Sequence, residues 1–215
     1  MVPGAIAERL RRQFPRYEVL PGASLASLPE EVPTPPVPHH RFRSDDPNAL
    51  IQTGPRLLTV NMLPTYQGFE VFRELILTVL EHYCSVANPG NPMRVGLRYI
   101  NLIRLVEGQG SLNDYLKCTF SYPEELPRPP RELAARLLFD YAEKGTLGLS
   151  IAFPSRIGDG AKGTLLDLDF FWSGPPEFPL EQFSSWLDEA HGIIYTAFLS
   201  TLHRSVVERL RGDNQ

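Results

Sequence analysis

Apolar and polar positions alternate over residues 93–106, MRVGLRYINLIRLV. The apolar positions on one side are Val95, Leu97, Tyr99, Ile103 and Leu105. The other side carries Arg94, Arg98 and Arg104. Because successive side chains of a strand point to opposite faces, this pattern predicts one long strand with an apolar face and a cationic stripe. We expect this strand to be central in its sheet.

Shorter strand patterns flank this segment. The predicted strands are residues 41–44, 49–53, 56–63, 115–121, 133–143, 146–153 and 164–172. A turn at Gly54-Pro55 precedes the third of them, and Lys144-Gly145 is the expected turn of a later hairpin.

Two segments show the three-to-four-residue spacing of an amphipathic helix. The first runs from Phe69 to Tyr83 and is expected to end before Asn88. The second runs from Phe183 to Leu210 and predicts one helix of roughly 30 residues, long enough at about 1.5 Å per residue to cross a sheet. A short helix is also predicted over residues 4–13.

These elements predict an α+β fold. We expect one mostly antiparallel sheet of seven or eight strands, packed on one side by the two long helices. Both halves run from strands to a helix, which suggests a duplicated strand-hairpin-helix unit. Proline clusters lie between elements but are short, so we expect a single domain over residues 1–215. Its parts are a lead-in of residues 1–37, a first half of 38–106 and a second half of 107–215.

Composition limits the function classes. The 215-residue chain is 42% hydrophobic, which suits a packed globular protein. A formal net charge of -4 argues against broad adhesion to nucleic acid or anionic membranes. The two cysteines, Cys84 and Cys118, are interpreted as buried thiols in a reducing compartment. With no apolar run long enough for a signal peptide or a membrane span, the expected location is the cytoplasm.

The arginine stripe is the first candidate site. Arg94, Arg98 and Arg104, with Arg41 and Arg43, present planar donor groups that suit a phosphate or a carboxylate. The alternative is a solvated sheet face on which the arginines pair with Asp167 and Asp169. As a binding stripe, Arg98 and Arg104 would contribute more to binding than to folding.

The run Phe170-Phe171-Trp172 is the second candidate. Neighbours on a strand face opposite ways, so Phe171 must lie on the outer face and is expected to mark a second layer or a partner surface. Asp167 and Asp169 share that face, but too few further oxygen ligands are nearby to predict a metal site. No motif for a cofactor is present, and none is expected.

Three stretches are similar to a sporadically distributed bacterial and archaeal family that has no assigned biochemical role. They are RFRSDDPNALIQTGPRLLTVNML with GFEVFRELI, the central GLRYINLI, and LDEAHGIIYTAFLSTL. The resemblance implies no catalytic residues, and the family's scattered occurrence resembles that of genes in defence or mobile-element loci. Members usually begin with a short apolar strand. This chain is therefore expected to lack that strand and to expose a sheet edge, with residues 1–13 serving mainly association.

The leading hypothesis is a non-enzymatic binding protein, an accessory component of a larger complex. Its partner would be another protein or a second copy paired at a sheet edge. The first alternative is a ligand-binding or hydrolytic domain with a cavity between sheet and C-terminal helix, lined by Arg98, Tyr99, Asn101 and His191. The second is a nucleic-acid-binding accessory protein, which is disfavoured by the acidic total charge.

Overall fold

The computed structural model describes residues 6, 8–20, 39–46, 48–104, 111–126, 130–156 and 162–212. The chain divides into two compact units, Met1–Gly90 and Asn91–Gln215. Each unit contains a four-stranded antiparallel sheet, so the fold is α+β with eight strands in the described part. Two sheets thus replace the expected single sheet. The single domain over residues 1–215 remains a prediction.

The first unit is a sheet of four consecutive strands followed by a helix. Its elements are β1 (Arg16–Val19), β2 (His40–Asp45), β3 (Asn48–Gly54), β4 (Leu57–Met62) and α1 (Phe69–Ala87). The strands lie in the order β1-β2-β3-β4. The last three strands and the helix match the sequence pattern, and the turn lies at residues 55 and 56, one residue later than the predicted Gly54-Pro55.

The N-terminal residues belong to the core of the first unit. Residues 6 and 8–10 are helical, as predicted. The buried cluster consists of Ile6, Leu10, Phe14, Phe42, Ala49, Ile51, Leu75 and Val79. Because Ile6 and Leu10 are almost fully buried in it, residues 1–13 contribute to the core of the first unit. Their expected role in association stays a prediction.

The second unit contains a sheet in which the first strand pairs with the last. Its strands are β5 (Arg94–Arg104), β6 (Leu133–Asp140), β7 (Thr146–Arg156) and β8 (Lys162–Ser173), in the order β5-β8-β7-β6. They match the patterns at 93–106, 133–143, 146–153 and 164–172, although residues 105 and 106 lie outside the described part. The hairpin turn passes through Gly145 at φ +137°, where a Cβ would lie 2.5 Å from the carbonyl oxygen of Phe171.

β5 is an edge strand rather than a central one. The consecutive strands β6, β7 and β8 lie side by side, and β5 pairs with the outer side of β8. Its apolar face is still covered, since Val95, Leu97 and Ile103 are buried. An edge strand therefore has a buried face because the sheet packs against a helix.

The predicted helix of roughly 30 residues is two helices, α2 (Phe183–Thr201) and α3 (Arg204–Gly212). Between them Leu202 is extended and forms a β-bridge with Leu116. The carbonyl of Thr201 accepts from the amide of Lys117 at 2.8 Å, and the amide of His203 donates to the carbonyl of Tyr115 at 3.0 Å. These bonds replace the helical ladder, so the helix ends.

The predicted strand at 115–121 is also absent from the described residues. A 3₁₀ helix at Leu112–Asp114, capped by Ser111, leads into the Leu116–Leu202 bridge instead. The duplication is not confirmed, because the two sheets differ in strand order. In the first unit the first strand, β1, pairs with the next strand in sequence, β2, whereas in the second unit the first strand, β5, pairs with the last strand, β8. No helix of the described part is long and apolar enough to cross a membrane.

Candidate functional site

The second sheet has one face covered by α2 and one face without a covering helix in the described part, here called the open face. On the covered side, Trp186 of α2 stacks on Phe170 of β8 at 5.8 Å between ring centroids. Leu166 and Leu168 share this side and are fully buried. Side chains alternate along a strand, so Asp167, Asp169 and Phe171 lie on the open face.

Arg98 and Asp167 form the central ion pair of the open face. Nε of Arg98 donates to Oδ1 of Asp167 at 2.8 Å, and Nη2 donates to Oδ2 at 2.5 Å. This hydrogen bonding raises the pKa of Arg98 above its ordinary value, against the opposing effect of desolvation. The Asp167 side chain is only 12% exposed. The guanidinium therefore neutralises a nearly buried carboxylate, which is the pairing expected as the alternative to a binding stripe. The contribution of Arg98 to binding stays a prediction.

Arg94 forms a second pair on the same face. Its Nη2 lies 3.0 Å from Oδ2 of Asp169, and its guanidinium lies 4.8 Å from the ring centroid of Phe171. Gly96 leaves room for the Arg94 guanidinium, because a Cβ at position 96 would lie 2.9 Å from Nη1 of Arg94. The outward aromatic is thus half covered by an arginine of the same unit.

The other arginines of the proposed stripe divide between the two units. Arg104 lies at the end of β5 on the open-face side, while Arg41 and Arg43 lie on β2 of the first unit. There Arg41 pairs with Glu18 at 3.5 Å. The structure therefore places Arg94, Arg98, Arg104 and Phe171 on one face of the second sheet, and Arg41 and Arg43 in the first unit.

The alternative pocket is divided between the two faces of β5. Tyr99 and Asn101 lie on the covered side, where the hydroxyl of Tyr99 is 3.4 Å from Nδ1 of His191, and Nδ2 of Asn101 donates to the carbonyl of Leu166. Arg98 projects from the opposite side. The four side chains therefore do not line one cavity.

A small cavity lies instead at the start of α2. Its volume is about 250 Å³, and its walls include Trp172, Phe178 and Trp186. Lys144 and Glu189 at its rim form an ion pair. Ligand pockets typically measure about 300 to 1,000 Å³, so this cavity is small for an enclosed organic ligand. The described residues contain no group of three metal-ligating side chains.

Exposed apolar side chains occur on the open face. Ile100 and Leu138 are 61% and 60% exposed, and Leu102 is 40% exposed. Ile100 and Leu102 stand between arginines on β5, and Leu138 stands on β6. These side chains were not predicted from the sequence, although the run Leu137-Leu138-Phe139 carried the same signal as Phe170-Phe171-Trp172: apolar residues on both faces of one strand.

Comparison of the chain with protein-family models, curated proteins and solved structures gives no match.

Proposed function

We propose that this protein is a non-catalytic binding protein that holds another protein on the open face of its second sheet. The observation that carries the proposal is the solvent-facing pair Ile100 and Leu102 on β5, where Ile100 is the register partner of the ion-paired Asp167. Exposed apolar side chains beside ordered polar groups favour association with another protein.

The charge pattern favours a protein over a nucleic acid. Arg94 and Arg98 already bond Asp169 and Asp167, so their charges are largely compensated before any partner arrives. Nucleic-acid binding depends on cationic groups that replace counterions along the phosphate backbone. The formal net charge of -4 points the same way.

The paired charges also suit a protein interface. An arginine fixed by a carboxylate loses little side-chain entropy on binding, and its planar face remains available to stack or to donate. Apolar anchors surrounded by ordered polar groups are the usual composition of a protein contact. The role as an accessory component of a larger complex rests on this surface.

Native purification of the tagged chain from its host, followed by mass spectrometry of co-purifying species, tests the proposal. The open-face variant is Ile100→Lys with Leu102→Lys, and the control is Tyr195→Lys on α2, where Tyr195 is 50% exposed. We expect a stoichiometric protein partner with wild type and control, and its loss with the open-face variant. A partner retained by that variant, or recovery of only a small molecule or an oligonucleotide, overturns the proposal.

A further inference from the structure

β6 is an exposed edge of the second sheet. No strand of the described part pairs with its outer side. Six of its eight residues are exposed, among them the consecutive Leu137, Leu138 and Phe139 at 39%, 60% and 45%. Natural edge strands are usually protected by lysine, proline, a bulge or a covering element. β6 has an apolar centre instead, which is typical of an edge that pairs with another strand.

The direction of the free backbone groups follows from the pairing with β7. The amide of Tyr141 donates to the carbonyl of Gly145, and Asp140 is the register partner of Thr146. Hydrogen-bonded positions alternate along an antiparallel strand. The backbone amides and carbonyls of Ala134, Arg136, Leu138 and Asp140 therefore point away from β7.

One antiparallel register of two β6 strands matches both the backbone and the charges. This register is centred on Leu138, so that Leu138 lies opposite Leu138 of the partner subunit. Arg136 then lies opposite Asp140 of the partner subunit, and the symmetric pair repeats this on the other side of the axis. All these positions are among those with outward backbone groups, and they share the open face.

The side chains are suited to this register. Arg136 makes no ion pair with any residue of the described chain, and Asp140 bonds only the amide of Ala142 there, through Oδ1. On the opposite face, Leu137 would meet Phe139 of the partner subunit. Opposite charges and apolar pairs across neighbouring strands each stabilise a sheet.

The other edge of the same sheet lacks this complementarity. The charged residues of β5 are Arg94, Arg98 and Arg104, all of one sign. An antiparallel pairing of two β5 strands brings no opposite charges together. Of the two edge strands, β6 is therefore the one whose charges complement those of the same strand in a second copy.

We propose that two copies of this chain associate through β6 in the register centred on Leu138, joining two four-stranded sheets into one eight-stranded sheet. The interface is isologous, so each contact occurs twice and the assembly closes as a dimer. This inference rests on the β6 edge and does not depend on the proposed function, whose test variants lie on β5.

Analytical ultracentrifugation of the full chain over a concentration series tests the dimer. Leu138→Lys places two like charges opposite each other at the axis, and Tyr195→Lys on α2 is the matched control outside both proposed surfaces. We expect wild type and control to dimerise and the Leu138 variant to be a folded monomer with the circular dichroism spectrum of wild type. A monomeric wild type, masses that grow beyond the dimer, or a dimer that survives Leu138→Lys overturns the proposal.

Charge reversal tests the register. Arg136→Asp and Asp140→Arg each create two like-charge contacts and should weaken the dimer by about tenfold or more. The double variant restores opposite charges in this register and should regain most of the affinity. Because Asp140 also bonds the turn, circular dichroism must show that each variant folds. If both single variants are folded and the double variant gains nothing, this register is wrong.

Discussion

Removal of the Arg98 guanidinium should destabilise the second unit, although Arg98 itself is on the surface. Arg98→Gln leaves the nearly buried Asp167 carboxylate without its cation. Losing one partner of a fully buried pair costs about 3 to 5 kcal/mol, and an exposed pair is worth about 0.2 to 1 kcal/mol. The Arg98 side chain is 55% exposed. Water therefore screens the pair in part, and we expect a loss of about 1 to 3 kcal/mol.

The two tryptophans of the chain, Trp172 and Trp186, both lie in the second unit. Their fluorescence in urea titrations therefore reports the free energy of unfolding of that unit. Adding Asp167→Asn to Arg98→Gln removes the uncompensated charge, so we expect the double variant to recover about 1 kcal/mol or more.

Two further arginine variants make the measurement specific. Arg94→Gln should cost less than Arg98→Gln, because its partner Asp169 is more exposed, at 22% of its side chain. Arg131→Gln, at an exposed residue before β6, should change the free energy of unfolding by less than about 0.5 kcal/mol. If Arg98→Gln costs no more than the Arg131 control, the pair is a surface contact and this reasoning fails.

Three more predictions concern the cores and the thiols. Leu97→Ala should lower the unfolding free energy by about 2 to 5 kcal/mol, and Ile100→Ala by under about 0.5; equal losses would contradict the assigned faces of β5. Phe14→Ala should destabilise the first unit by about 3 to 5 kcal/mol in circular dichroism melts; an unchanged melt would remove the N-terminal segment from that core. Burial raises the pKa of Cys84 and Cys118. Both thiols are half-buried rather than fully buried as expected. Native alkylation should therefore be slow at neutral pH and accelerate as pH rises through the raised values, whereas rapid labelling at pH 7 would count against the raised pKa values.

The sequence by itself determined most local structure. Alternation over 93–106 located β5 because a half-buried strand must repeat every two residues. The three-to-four-residue spacing located α1 and the start of α2 for the corresponding helical reason. Both depend on side chains that lie near one another along the chain.

Tertiary contacts decided what the local pattern left open. The apolar spacing continues through Leu202, yet the helix breaks there because residues 115–117 bond its backbone from a distant part of the chain. Strand order is equally non-local, since an apolar face looks the same on an edge strand as on a central one. That is why β5 was expected at the centre and β6 was not recognised as an open edge.

The candidate site divides in the same way. Alternation placed Phe171 and the arginines on one side of their strands, and Asp167 and Asp169 were correctly named as the alternative partners of the stripe. Only the folded sheet decided that the pairs form, since β5 and β8 are separated by two other strands in sequence and meet through their register. Local periodicity specifies which face a side chain occupies, whereas its neighbours across the sheet depend on chain topology.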